Sequence, residues 1–361
     1  MPLRIADRVV DGTRRAFIIA EIAQAHDGSL GQAHAFIDAI ADAGADAVKF
    51  QTHIAEAEST LDEPFRIPMS GQDATRRDYW ARIEFAEEQW VALAQHASER
   101  GLVFLSSAFS VEAVEMLDRL GMAAWKIGSG EVRTSQILDV MAATGRPLLL
   151  STGMSPWSEI DAAVSRIQGI GAPVAIFQCT SRYPTALEQV GLNVLDELRT
   201  RYAAPVGLSD HSATIYPAMW ALAHNADLIE VHVTFDRAMY GPDTAASLNF
   251  TELATLCAAN NAFETFRSNP VSKDAIADEL AQMRELFNKS VAVRRPLAAG
   301  TLLTMENLTL KKPGTGIPAE ELNSLVGRRL TSHATPDRVL RWEDIDQADS
   351  PADTSDPRNI T

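Results

Sequence analysis

Cysteine is almost missing from this chain: Cys179 and Cys257 are the only two in 361 residues. The pair matches neither a disulfide framework nor a metal-finger spacing, so a reducing compartment is expected. Long apolar runs are missing too. No stretch reaches the ~18 apolar residues of a membrane-spanning helix. The N-terminus carries Arg4, Asp7 and Arg8 where a signal peptide would place its apolar segment. Basic residues are in deficit, 32 Lys and Arg against 48 Asp and Glu, for a net charge of -16. That balance argues against nucleic acid or an anionic membrane as partner, although a few lysines in a cleft can still attract a small anion. The expectation is a soluble cytoplasmic protein.

What is present is a rhythm of short apolar runs, each closed by a polar residue. Phe17–Ala20 runs into Glu21; Ala45–Val48 into Lys49, with Gln51 two residues on; Leu102–Leu105 into Ser106 and Ser107; Ala123–Trp125 into Lys126, Ser129 and Glu131. Four more runs close on Ser151, on Thr180 and Ser181, on Ser209, Asp210 and His211, and on Glu230 and His232. Near-continuous apolar runs are the mark of strands buried on both faces of a parallel sheet. Helical periodicity fills the gaps: 30–43 stops at Gly44, 86–99 at Gly101, 111–120 at Gly121 and 137–144 at Gly145, glycine being the usual residue just past a helix end. Eight strands alternating with helices predict a (β/α)8 TIM barrel, with an open doubly wound sheet as runner-up. The domain boundaries expected are a barrel over 1–267, a polar linker over 268–287, a small Pro- and Gly-rich domain with short β-like runs over 288–346, and a disordered tail over 347–361.

Barrel enzymes work at the C-terminal ends of their strands, so the run-closing residues are the candidate site. Lys49 and Lys126, with serines on several other strands, suit a phosphate or carboxylate; the alternative is that they only pair with nearby carboxylates. His211 and His232 close adjacent strands about 5 Å apart and could share one metal; a purely structural role stands beside that. Asp210 and Glu230 could orient the two rings. Glu21 and Glu131 could be general bases, sugar ligands or partners of the lysines. His26, beside Asp27 in the loop after the first strand, could touch substrate or sit in a turn. His34, His96 and His224 fall in helical segments and read as packing or surface residues.

Several stretches resemble the sialic acid synthase family: IAEIAQAHDGSL (19–30), GADAVKFQT (44–52), WKIGSGE (125–131), LLSTGM (149–154), QCTSRYPT (178–185), VGLSDH (206–211), LIEVHVTFD (228–236) and GPDTAASL (241–248). LTMENLTLKKPGTGIP (303–318) looks like that family's C-terminal antifreeze-protein-like domain. The resemblance spans residues 17–346. It implies a barrel that condenses phosphoenolpyruvate with an N-acylated aldose, releasing phosphate and making a 2-keto-3-deoxy sugar acid. It further implies phosphoenolpyruvate held by Lys49, Ser107, Lys126, Ser129, Ser151 and Ser209; Arg182, a departure from the family pattern, adds a cation in that region or at the sugar tail. Glu21, Gln51, Tyr183, Asp243 and Lys312 fall around the sugar, Glu131 is a catalytic carboxylate, and a divalent metal (manganese, with magnesium or cobalt as alternatives) sits on His211 and His232. A domain-swapped homodimer, the small domain of one subunit capping the other's barrel, is implied as well. The chain departs from the family pattern at Ala25, Ala108, Arg182 and Lys312. Those departures leave the acceptor sugar, and whether it is phosphorylated, open. Competing readings are a Schiff-base aldolase using Lys126 and a ligand-binding barrel without catalysis.

Overall fold

A computed structural model describes residues 3–67 and 71–347. Eight parallel strands close on themselves: β1 (Phe17–Ala23), β2 (Ala47–Thr52), β3 (Val103–Ala108), β4 (Trp125–Ile127), β5 (Leu148–Ser151), β6 (Val174–Cys179), β7 (Val206–Asp210) and β8 (Leu228–His232). Closure is made by β8 on β1, with Leu228 opposite Phe17 and His232 opposite Glu21. It eliminates the open-sheet alternative. Every residue of β1, β5, β6, β7 and β8 is buried, which is why these segments carry no apolar–polar alternation.

The helices pack outside. The first, Leu30–Ala43, begins where the Ser29 side chain accepts from Gln32 N–H and ends at Gly44, whose φ of 86° needs a residue without Cβ. It buries Ala33, Phe36, Ile37 and Ile40 against the barrel, a three-and-four spacing that defines one helix face. Gly207 answers a different demand. A Cβ there would lie 2.7 Å from the Leu228 carbonyl oxygen and from the Phe177 ring, because β6, β7 and β8 meet with no slack. Gly207→Ala is expected to cost about 1–3 kcal/mol through overpacking, read as a lower denaturant midpoint. An unshifted midpoint would mean that the barrel wall relaxes.

The chain divides into two compact units, 1–268 and 269–361. The second has its own core, built on an antiparallel pair, Ser290–Val293 with Leu308–Lys311, around Val291, Val293, Leu303, Ile317, Leu330 and Leu340. The segment 268–287, expected as a polar linker, is not irregular. It contains helices Lys273–Glu279 and Ala281–Phe287, the first started by the Ser272 side chain accepting from Ala275 N–H. Apart from Gln347, the expected disordered tail lies outside the described residues. No helix among the described residues is long and apolar enough to cross a membrane.

Candidate active site

Strand register brings the run-closing residues to one rim. Glu21 of β1 is level with Lys49 of β2, and Ser107 of β3 with Lys126 of β4. There they surround a cavity of about 410 Å³, within the range of small-molecule sites. Its wall includes Lys49, Gln51, Ser107, Lys126, Ser129, Glu131, Ser151, Tyr183, Ser209, His211, His232 and Asp243. Twelve of the fifteen residues expected to hold substrate or metal or to act as the catalytic carboxylate therefore face one space.

The floor is a charge network. Lys126 Nζ donates to Ser151 Oγ at 2.7 Å and lies 3.2 Å from Glu230 Oε1. Ser209 Oγ donates to the same Glu230 oxygen at 3.2 Å. Lys49 is ion-paired with Glu21, with Glu230 Oε2 4.0 Å away. All four charged groups are buried, where a lone charge would cost several kcal/mol. Burial alone would raise the Glu230 carboxyl, but Lys126 and Lys49 overcome it and hold the group well below the usual range. The pairing expected as an alternative to anion binding is thus present, yet both lysines still reach the cavity. Gly153 lets the loop after β5 come close: its N–H donates to Ser129 Oγ at 3.1 Å, and a Cβ would lie 2.7 Å from that oxygen.

His211 and His232 face each other with ring centroids 5.0 Å apart. His211 Nδ1 is 3.1 Å from the Thr180 carbonyl oxygen. A carbonyl only accepts, so Nδ1 carries the proton and Nε2 keeps its lone pair. His232 Nδ1 is buried without a partner. Burial first, then His232, brings the His211 pKa down to about 3; burial first, then Lys49, does the same for His232. Two neutral imidazoles, one with an orphaned nitrogen, fit a borderline divalent cation. Among the described residues no group of three His, Cys, Asp or Glu could hold an ion. The chain would supply two ligands and leave the other positions to small molecules.

Two expected site residues of the barrel lie elsewhere. Glu21 is fully buried and lies under Lys49, with Oε1 accepting from Ala23 N–H at 2.8 Å, so it cannot meet a sugar directly. Arg182 is exposed and donates to Gln189 Oε1 at 2.9 Å; the turn after β6 points it along the surface. Lys312 belongs to the second unit, its Nζ 4.9 Å from the Phe287 ring centroid. His26 is packed 4.7 Å from Phe85, and its Nδ1 accepts from Gly28 N–H at 3.1 Å; it is a core and turn residue. Asp210 orients no ring: its carboxylate accepts from Ser212 Oγ at 2.7 Å.

Sequence reasoning missed the wall supplied by 53–85, the long connection after β2, which brings His53, Glu58, Glu63, Arg66, Arg76 and Trp80, and it missed Gln24 beside them. Helix Arg76–Ile83 anchors this connection through a Thr75–Asp78 capping box. Arg66 donates to Asp243 Oδ1 at 2.5 Å and stacks 4.1 Å from the Tyr183 centroid, while Arg76 lies 3.3 Å from Glu63. The available signal was length, since a connection this long in a compact domain is usually functional.

A closed (β/α)8 barrel whose rim gathers two buried lysines, two neutral imidazoles and a ring of hydroxyls defines a barrel enzyme acting on small anionic or carbonyl compounds. The chain belongs to the NeuB family, which residues 36–271 match, and residues 288–346 match the SAF domain. It is a synthase of the sialic acid type. It is 31% identical to the N,N'-diacetyllegionaminic acid synthase of Legionella pneumophila, over 91% of this chain and 94% of that one. It is 32% identical to human N-acetylneuraminate-9-phosphate synthase, over 96% and 98%. The solved N-acetylneuraminic acid synthetase of Leptospira borgpetersenii, in complex with citrate, superposes with a TM-score of 0.68 at 28% identity, covering 79% of this chain and 96% of that one.

Proposed function

We propose that this enzyme condenses phosphoenolpyruvate with an uncharged, N-acylated aldose of the N-acetylmannosamine kind, giving a sialic-acid-like 2-keto-3-deoxy sugar acid and phosphate. The observation that carries the reading is the convergence of the two lysines and two histidines on one cavity floor. Lys49 and Lys126 offset charge on the phosphate and carboxylate, and the hydroxyls of Ser107, Ser129, Ser151 and Ser209 orient them. A divalent cation on His211 and His232, manganese in the first instance, would polarise the aldehyde oxygen. Carbon 3 of phosphoenolpyruvate forms a bond to the aldehyde carbon, whose oxygen takes up a proton. Water adds to carbon 2, giving its proton to Glu131. The carbon–oxygen bond to phosphate then breaks, phosphate leaves, and the ketone remains.

Two features support an uncharged acceptor over a phosphorylated one. Among the described residues, the arginines on the upper wall are each already paired, Arg66 with Asp243 and Arg76 with Glu63. Aromatic surface from Phe65, Trp80 and Phe109 lines the same region, which suits an acyl group. A Lys126 Schiff base is disfavoured because its Nζ is engaged by Ser151 and Glu230. The working unit in this reading is the domain-swapped homodimer, with Lys312 supplied by a second copy.

The test is phosphate release from phosphoenolpyruvate with aldoses and their phosphate esters, with and without manganese. Release only with phosphorylated sugars would exclude the uncharged acceptor, and metal-independent release would exclude the cation. The pH profile is a further check. Burial, reinforced by Glu58, raises the Glu131 carboxyl, and a general base must be ionised. The acid limb of kcat/KM is therefore expected above the ordinary glutamate range, with activity falling as pH drops through it. Glu131→Gln should remove this limb along with most of the turnover; a limb unchanged in the residual activity would assign it to another group.

A further inference from the structure

His53 lies at the cavity wall in a slot between two aromatic rings. Trp80 stacks on one face, 3.7 Å between centroids and 10° from parallel, and Phe109 on the other, 4.6 Å and 3°. The slot fixes the ring plane and leaves only its two nitrogens for polar contacts. Nδ1 is 2.6 Å from Glu58 Oε1, and Nε2 is 3.2 Å from Gln24 Nε2. The Gln24 amide nitrogen also donates to Gln51 Oε1. His53 is 6% exposed and Gln24 3%, so these are chosen partners and not surface encounters.

Direction along this chain is set at its carboxylate end. A carboxylate only accepts, so His53 Nδ1 donates to Glu58; the partner of Nε2 is the Gln24 amide nitrogen, which only donates, so Nε2 accepts. Gln24 therefore turns its NH2 toward His53 and spends both hydrogens, one on Nε2 and one on Gln51 Oε1. With that oxygen occupied, Gln51 has its own NH2 left for whatever fills the cavity. We propose that Glu58 and His53 are positioning residues which lock the amide polarity of Gln24 and Gln51, so that Gln51 presents N–H donors, and never an oxygen, to a lone-pair oxygen of the acceptor. The inference rests on the acceptor reading above and makes the pair determinants of acceptor specificity. Neither residue touches the reacting carbons.

Glu58→Gln tests it, because an amide at that position can donate to His53 and reverse every bond in the chain, leaving Gln51 to present its carbonyl. Acceptor KM is expected to rise about tenfold, the scale of one lost hydrogen bond with an opposed lone pair. Above the acid limb set by Glu131, which the Glu58 charge helps to raise, the KM for phosphoenolpyruvate should stay within about twofold and kcat within about threefold, and Glu58→Asp, which keeps the carboxylate, should restore acceptor KM. An acceptor KM unchanged in Glu58→Gln overturns the inference. So does a parallel loss in both KM values, kcat and melting temperature, which marks a merely structural pair. If the Glu58 variants do not fold, Gln51→Glu replaces the donor by an oxygen directly, and wild-type acceptor KM in that variant is equally fatal. Absence of phosphate release by the wild-type chain with any aldose overturns both readings; normal wild-type turnover with an unmoved Glu58→Gln overturns this one alone.

Discussion

His232→Ala is expected to reduce turnover by about three orders of magnitude or more, the scale of losing several kcal/mol of charge stabilisation at the aldehyde oxygen. His232 Nδ1 is buried without a partner, and with two imidazoles converging, one cannot hold a cation as two do. Titration calorimetry with manganese alone gives a readout independent of activity: the wild-type chain should bind and the variant should not. The fold should survive, because His232 gives up no ion pair. A variant that keeps wild-type turnover in the presence of a chelator would sink the metal assignment while leaving the lysine site standing.

Lys126→Met is the second large effect, and it acts on stability and binding together. Removing the ammonium leaves the buried Glu230 with the Ser209 hydroxyl and with Lys49, 4.0 Å from its Oε2, and takes the donor from Ser151. Breaking one side of a buried pair typically costs about 3–5 kcal/mol, so the denaturant midpoint should fall visibly. Losing an oriented cation beside the reacting anion should lower kcat by about 10²–10³, with weaker phosphoenolpyruvate binding. Lys126→Met with Glu230→Gln separates the two effects, since removing both charges should recover much of the stability and none of the activity. If the single variant is as stable as wild type, the floor network is not coupled as its distances imply.

The barrel was legible because its physics is local and repeated. A strand buried on both faces must be apolar throughout, and a helix ending beside it needs a left-handed residue. Gly44, Gly101, Gly121 and Gly145 all have φ between 71° and 86°, as their positions after helical periodicity predict. Most of the floor was legible too, because strand ends in a closed parallel barrel share one rim. Lys49, Lys126, His211 and His232 needed no further information to be grouped. Glu21 shows the limit of that logic: it ends its strand as Lys49 does, yet lies beneath the lysine, and nothing in the one-dimensional pattern says which of two adjacent rim residues will be on top. Arg182 shows another, since an exposed side chain beside a strand end can turn toward Gln189 as easily as toward the cavity.

By itself, the sequence determined an eight-stranded barrel, a second small domain, and a rim of lysines, hydroxyls and paired histidines, since each follows from periodicity or from position along a strand. Only the tertiary structure decided which charges are paired and which reach the cavity. Only it revealed that the 53–85 connection builds the opposite wall, with Arg66 on Asp243 and His53 held between Trp80 and Phe109. The reason is that ion pairing and ring stacking depend on distances of a few ångströms between residues tens to hundreds of positions apart, and no local pattern in the chain encodes those distances.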